Sequence, residues 1–190
     1  MLAAPSERGS LRAQRHEIVT AGRTSGDFRV DIADAASLRE MYAKTGNLDA
    51  VACAAGNVHF GPLDAMTAEQ FDIGLRDKLM GQVNLVLAGR SVVLPGGSFT
   101  LIGGVLSHDP IRFGASASMV NGALESFVRA AAIELTLHRI NLVSPTVLEE
   151  SMDAYGPYFR GFEAVPARRV ALAYSKSIEG AQTGQIYRVS

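Results

Sequence analysis

The stretch that decides the fold is Asp49-Ala-Val-Ala-Cys-Ala-Ala-Gly56. It is apolar from Ala50 to Ala55 with no alternation, and Gly56 ends it. A strand with one wet face alternates apolar and polar residues. A continuous apolar run means that both faces are covered, as in a parallel strand with helices on either side. Upstream, EIVTAGR (17–23) and FRVDIAD (28–34) read as two more strands, the second closing at Asp31 and Asp34. Asp34 is placed to cap the helix AASLREMYAKTG, which Gly46 stops. Downstream, the loop 57–66 leads to Thr67-Ala-Glu-Gln70, a capping box. The helix it opens puts Phe71, Leu75, Leu79, Val83 and Val86 near one face.

Pro95-Gly96-Gly97 reads as a turn and SFTLIGG (98–104) as the next strand. The segment 116–135 is helical, with an apolar stripe at 120, 123, 124, 127, 128 and 131. RINLVSP (139–145) is a strand, 146–165 an irregular segment, Ala167–Ser177 a helix and QIYRV (185–189) a closing strand. Strands alternating with helices predict a three-layer α/β/α, Rossmann-like, doubly wound parallel sheet. Ligands of such sheets lie beyond the carboxyl ends of the strands. Those ends are Ala21–Arg23, Asp31–Ile32, Ala54–Gly56, Gly103–Gly104 and Ser144–Thr146.

Composition narrows the class. With 190 residues and 47% hydrophobic residues, the chain suits a single domain with a real core, expected over 16–190 and preceded by an atypical segment, 1–15. A net charge of −1 gives no reason to expect a nucleic-acid partner. No apolar run is long enough to predict a membrane span. Cys53 is the single cysteine, so an intrachain disulfide is ruled out and a cytoplasmic location is expected. Cys53 itself reads as inert core. His16, His59, His108 and His138 lack metal-ligand spacing, and no metal site is expected.

Taken in order, the strand ends resemble the short-chain dehydrogenase/reductase family. Cys53-Ala-Ala-Gly56 followed by Gly61-Pro-Leu63 is similar to its NNAG stretch. Arg129-Ala-Ala-Ala-Ile-Glu-Leu135 resembles the second half of its catalytic helix, and Arg139-Ile-Asn-Leu-Val-Ser-Pro145 its R-x-N-x-x-x-P strand; TGQIYRV (183–189) also fits. The resemblance implies an oxidoreductase acting on a small carbonyl or alcohol substrate. It implies cofactor contacts from Arg23, Asp31, Ile32, Ala55, Gly56, Asn121 and Pro145. Arg23, directly after a strand, points to NADP(H), because a basic residue there pairs with the 2′-phosphate. The resemblance also implies a homo-oligomer, since two helices, 67–89 and 115–135, carry apolar stripes wide for one contact with the sheet.

Two parts of the family pattern are missing. No glycine-rich phosphate turn precedes Glu17, and a strand, turn and helix need roughly 22–25 residues by ordinary element lengths. Three explanations stand open: a misassigned or frame-shifted start, an abbreviated substitute within 1–15, or a partner chain. Counting back from Arg129, the tetrad positions are also altered. The Tyr position is Ala117, the Lys position Asn121, the Ser position Gly104 and the supporting Asn position Lys78. Ser107, Ser116, Ser118, Lys78, Tyr155 and Tyr158 are the groups near enough to substitute, although Ser116 and Ser118 also suit a helix cap, the tyrosines suit packing and Lys78 an exposed helix position. Two functions compete: an NADP(H)-linked oxidoreductase using other groups, and a catalytically silent binding or regulatory protein. A third, purely structural reading has a truncated domain that binds no nucleotide.

Overall fold

The computed structural model describes residues 16–190. The segment 1–15, with the expectation of an abnormal first unit, lies outside the described residues. All strand pairing is parallel. Strands β1 (Ala21–Gly22) and β2 (Phe28–Arg29) pair with each other; β3 (Leu48–Ala52), β4 (Val93–Ile102), β5 (Arg139–Pro145) and β6 (Ile186–Val189) form a four-stranded sheet in that order. Helix α1 (Ala35–Thr45) follows β2. Helix α2 runs through three continuous stretches, Ala68–Ile73, Gly74–Met80 and Gly81–Gly89. After β4 and β5 come α3 (Ala115–Glu134), the short α4 (Met152–Tyr155) and α5 (Ala167–Glu179). The expected Rossmann-like α/β fold is the observed one.

Each central strand feeds two cores by its pleat. Val51 and, on β5, Ile140 and Leu142 pack with Leu85, Leu124 and Val128 of α2 and α3. Their neighbours Ala52 and Val143 turn to the opposite side and meet Val170 and Tyr174 of α5. Covering both faces is what the unbroken apolar run required. The R-x-N portion of β5 is structural. Arg139 donates to the Ser177 and Ile178 carbonyls at 2.6 and 2.9 Å, occupying the last turn of α5. Asn141, fully buried, donates to Ser177 Oγ and Gln182 O and accepts from the Gln185 amide.

Several element expectations need correction. The strand expected over 17–23 shrinks to two residues, because the Asp27 carboxylate accepts from both the amide and the hydroxyl of Thr20 at 2.8 and 2.7 Å. Pro95-Gly96-Gly97 is not a turn before a strand but an irregularity inside β4: Leu48 pairs with Val93 while Ala50 already pairs with Ser98. Serines 116 and 118 do not cap α3. Gly114 holds that position without a side-chain bond, and both serine hydroxyls are buried with no partner among the described residues. The capping box on α2 and the Asp34 cap on α1 form as expected.

The largest departure lies in α2. Its middle stretch, Gly74–Met80, is a π-helix. Each π turn takes up more residues than an α turn, so the helix faces shift. Of the expected row, Phe71, Leu75, Leu79 and Val83 are half-buried and only Val86 is sealed against the sheet, joined there by Gln82 and Leu85. Asp77 and Lys78, both inside the π stretch, reach the carboxyl ends of the strands.

Candidate active site

The carboxyl ends of β1 to β5 bring the expected residues into two adjoining groups. The first is ionic. One Arg23 nitrogen, Nη2, donates to Asp31 Oδ1 and to Asp77 Oδ2, both at 3.1 Å. Asp77 also accepts from the Asn57 side chain at 3.0 Å. These pairings raise the Arg23 guanidinium further above its usual value, the Asp77 hydrogen bond contributing most. Burial alone would push the Asp31 carboxyl up. The Ala33 amide and Arg23 outweigh it and hold the group below the usual carboxylate range. Ile32 is placed differently from its neighbour: its side chain is buried against Gly81, leaving no open apolar surface.

The second group surrounds a lysine. Lys78 Nζ donates to Gly103 O at 3.0 Å and to Asn121 Oδ1 at 2.8 Å. Asn121, itself buried, donates onward to Gly104 O at 3.3 Å. No carboxylate pairs with Lys78 among the described residues. Desolvation therefore dominates and brings its ammonium down to about 8. Gly56 lies directly under this lysine. Its φ is 137°, and a Cβ there would stand 2.6 Å from Lys78 Cγ and 2.9 Å from Lys78 Cα, so only glycine fits. Gly104 is matched to Asn121 in the same way: a Cβ at 104 would stand 2.9 Å from Nδ2 of that amide and 3.8 Å from the Pro145 carbonyl. Ala54 and Ala55 are exposed at the open rim.

The Tyr position is closed. Ala117 is 2% exposed, within an apolar cluster of Val105, Leu106, Val147 and Phe159 with Phe60 and Phe162 against it. Tyr155 and Tyr158 do not enter the Lys78 group. They stack on Phe60, with centroids 5.8 and 6.0 Å away, and Phe113 meets Tyr158 at 6.4 Å. Phe113 takes a φ of 67°, uncommon for any residue with a side chain. Ser107 is engaged by the buried Glu125 at 2.5 Å, which also pairs with Arg129. Burial pushes the Cys53 thiol up to about 11, consistent with inert core. Among the described residues no group of three His, Cys, Asp or Glu could hold a metal ion. Sequence reasoning missed Asp77 and Asn57. The signal available was the spacing of Asp77 one residue before Lys78.

The carboxyl ends of the strands thus gather a guanidinium after β1, an exposed Ala54-Ala55 rim beside Gly56, and an ammonium against Gly103. A parallel sheet with its polar groups gathered at the carboxyl ends of the strands defines the Rossmann-like class of α/β proteins. Comparison with known proteins makes the assignment specific: the chain belongs to the short-chain dehydrogenase/reductase family. The family model described as Enoyl-(Acyl carrier protein) reductase matches residues 2–182. Versicolorin reductase 1 from Aspergillus parasiticus is 29% identical over 138 residues, covering 66% of this chain. The chain spans half the length of that relative. The structure of the protein lin1944 from Listeria innocua is 48% identical, covers 94% of this chain and 90% of its own, and superposes with a TM-score of 0.92. A small-chain dehydrogenase solved in complex with NADPH shares the fold at 22% identity and a TM-score of 0.79, covering 94% of this chain and 89% of its own. Among the described residues no helix is long and apolar enough to cross a membrane.

Proposed function

We propose that this chain is an NADP(H)-dependent oxidoreductase acting on a small carbonyl or alcohol compound. The observation that carries this reading is Arg23, half exposed at the end of β1 and aligned with Asp31. A guanidinium there recognises a 2′-phosphate by paired hydrogen bonds, which an NADH ribose does not offer. Ile32 supplies backbone beside the adenine edge. Ala55, Gly56 and Pro145 line the path of the dinucleotide, and the Lys78–Asn121 pair stands at its nicotinamide end. When bound, the cofactor supplies or removes hydride. The NADPH complex of a relative supports the same choice for this chain. The substrate end is bordered by Phe60, Phe113, Tyr155 and Tyr158, a rim suited to a flat apolar molecule.

The silent-protein alternative rests on Ala117, which leaves no hydroxyl at the Tyr position. One titration tests the main reading. NADPH and NADH are added while following nicotinamide fluorescence and melting temperature. Saturation at 100 times Kd stabilises a protein by about 2.7 kcal/mol. A clear NADPH shift with a weaker NADH shift is expected; no shift with either at millimolar concentration overturns the reading. NADPH binding without turnover across a carbonyl panel favours the silent protein.

A single, buried cysteine supports a cytoplasmic location for this oxidoreductase. The same reading makes the chain a homo-oligomer. Ile73, Met80 and Leu87 on α2, and Met119 and Ile133 on α3, are exposed apolar side chains that a second copy would cover. A monomeric mass by light scattering at micromolar concentration would overturn that assignment.

A further inference from the structure

We propose that Lys78 is the proton donor of this site, its ammonium carried on α2 and aimed by Asn121 across the cleft. The inference rests on the oxidoreductase reading above. Its ground is the pairing itself. An ammonium has three N–H donors. Gly103 O and Asn121 Oδ1 take two of them, and the third has no partner among the described residues. A partly buried lysine with no carboxylate is costly unless something uses its charge. The neighbouring carboxylate, Asp77, is turned to Arg23 and Asn57 instead. Gly56 and Gly104 have no side chains, which lets the backbone pack closely against Lys78 and Asn121 and fixes the pair in place. The π stretch supplies the rotation that brings Lys78 there. Positions 78 and 121 thus hold an ammonium and an amide, the reverse of what the resemblance led one to expect. The exchange keeps one ammonium in the cleft while moving it to the opposite helix.

The chemistry balances without a tyrosine. A carbonyl carbon that receives hydride from a reduced nicotinamide dinucleotide leaves its former π pair on oxygen. That oxygen takes the proton from Lys78 Nζ; the N–H bond breaks, its electron pair stays on nitrogen, and water reprotonates the neutral amine. Asn121 is a positioning residue, since its amide oxygen orients Nζ. The titratable groups packed around Lys78 are few. Cys53, just past β3, faces it as a neutral thiol, Gly103, just past β4, contributes only its carbonyl, and α3 contributes Asn121. Glu125, one turn further, is engaged by Ser107 and Arg129. Desolvation brings the Lys78 ammonium down to about 8, close to the range in which a proton donor works well.

The test exploits the lysine count. The chain has only three lysines, Lys44, Lys78 and Lys176. In lysine-labelled full-length protein, an NMR titration of the side-chain nitrogens should show one signal titrating near pH 8. That signal should vanish in Lys78→Arg, and NADPH should perturb it. In parallel, NADPH oxidation is followed against aromatic diones and ketones. The expected wild-type rate falls as pH rises through 8. Lys78→Met and Lys78→Arg should lose kcat on the order of 100-fold while binding NADPH within about 3-fold of wild type. Lys78→Arg keeps a cation and controls for folding. A kcat unchanged in Lys78→Met, a pH limb that persists without Lys78, or NADPH binding with no reduction by the wild type overturns the proton-donor role. Failure of the wild type to bind NADPH instead overturns the oxidoreductase reading.

Discussion

Arg23 and Asp77 meet at 3.1 Å although Arg23 follows β1 and Asp77 lies in the π stretch of α2. Asp31 shares the same guanidinium nitrogen, so two carboxylates surround one cation. A 2′-phosphate on the remaining guanidinium N–H groups would bring further negative charge beside both, and their repulsion would weaken its binding. Asp77→Asn keeps the shape and the Asn57 contact but removes one of these charges. NADPH affinity should rise several-fold, with NADH affinity nearly unchanged. Arg23→Ala should weaken NADPH by roughly tenfold or more, given about 1.5–3 kcal/mol for a charged hydrogen bond. Fluorescence titration of each variant with both dinucleotides reads the effect. Equal changes for the two would remove Arg23 from the phosphate site.

Tyr174 secures the floor of the site from below. Its buried hydroxyl donates to Cys53 O at 2.6 Å, fixing the end of β3 just before the Ala54-Ala55 rim. Tyr174→Phe keeps the ring in its apolar cluster and removes only the donor. The Cys53 carbonyl loses this donor, which should cost about 1–3 kcal/mol. At this chain length that is a fall of roughly 2–4 °C in Tm per kcal/mol. Thermal unfolding by circular dichroism checks it, and an unchanged Tm would mean water replaces the hydroxyl.

The fold was legible because its signals are local. The run 50–55, the Asp34 cap, the Thr67–Gln70 box and the R-x-N strand each depend on neighbours in sequence. The ionic half of the site was half legible. Arg23 and Asp31 follow strands and were foreseen there, whereas Asp77 lies on a helix whose expected 3.6 periodicity aimed it elsewhere. The π stretch broke that periodicity, and nothing in Gly74-Leu-Arg-Asp-Lys-Leu-Met80 announces it. The partnership of Lys78 with Asn121 was equally hidden. Sequence marked both as substitutions of tetrad positions, but only their proximity turns two losses into one exchange.

Lys78 should also leave a signature in stability. Its folded-state value, about 8, lies below the usual 10.5. Below pH 8 both states carry the proton, and the folded state bears the full cost of the buried charge. Between pH 8 and 10.5 the unfolded chain still holds the proton while the folded one has lost it. Stability therefore rises with pH there, by up to about 1.4 kcal/mol per unit. Cys53 acts in the opposite sense, because its raised thiol value costs stability between pH 9 and 11. Denaturant midpoints of the wild type measured against Lys78→Met isolate the lysine. The difference should move in favour of the wild type from pH 8 upward, and a constant difference would mean that Lys78 titrates as an ordinary surface amine.

Restoring the family tyrosine should not restore the family site. Ala117 sits under Val105, Leu106, Val147 and Phe159, with 2% of its surface exposed. A phenol ring at 117 has no free volume and must push Phe159 and the segment behind it outward. Overpacking of this kind typically costs about 1–3 kcal/mol. The hydroxyl would also lack an ammonium at 121, since the cation is on α2. Ala117→Tyr should therefore melt lower than wild type and gain no reductase activity. Adding Asn121→Lys should make matters worse, because a second ammonium then faces Lys78 with no carboxylate between them. The triple change Lys78→Asn, Ala117→Tyr, Asn121→Lys returns the charge to α3 and removes that repulsion. Its Tm should lie above that of the double variant. If the double variant is instead the more stable of the two, Lys78 and position 121 are not coupled across the cleft.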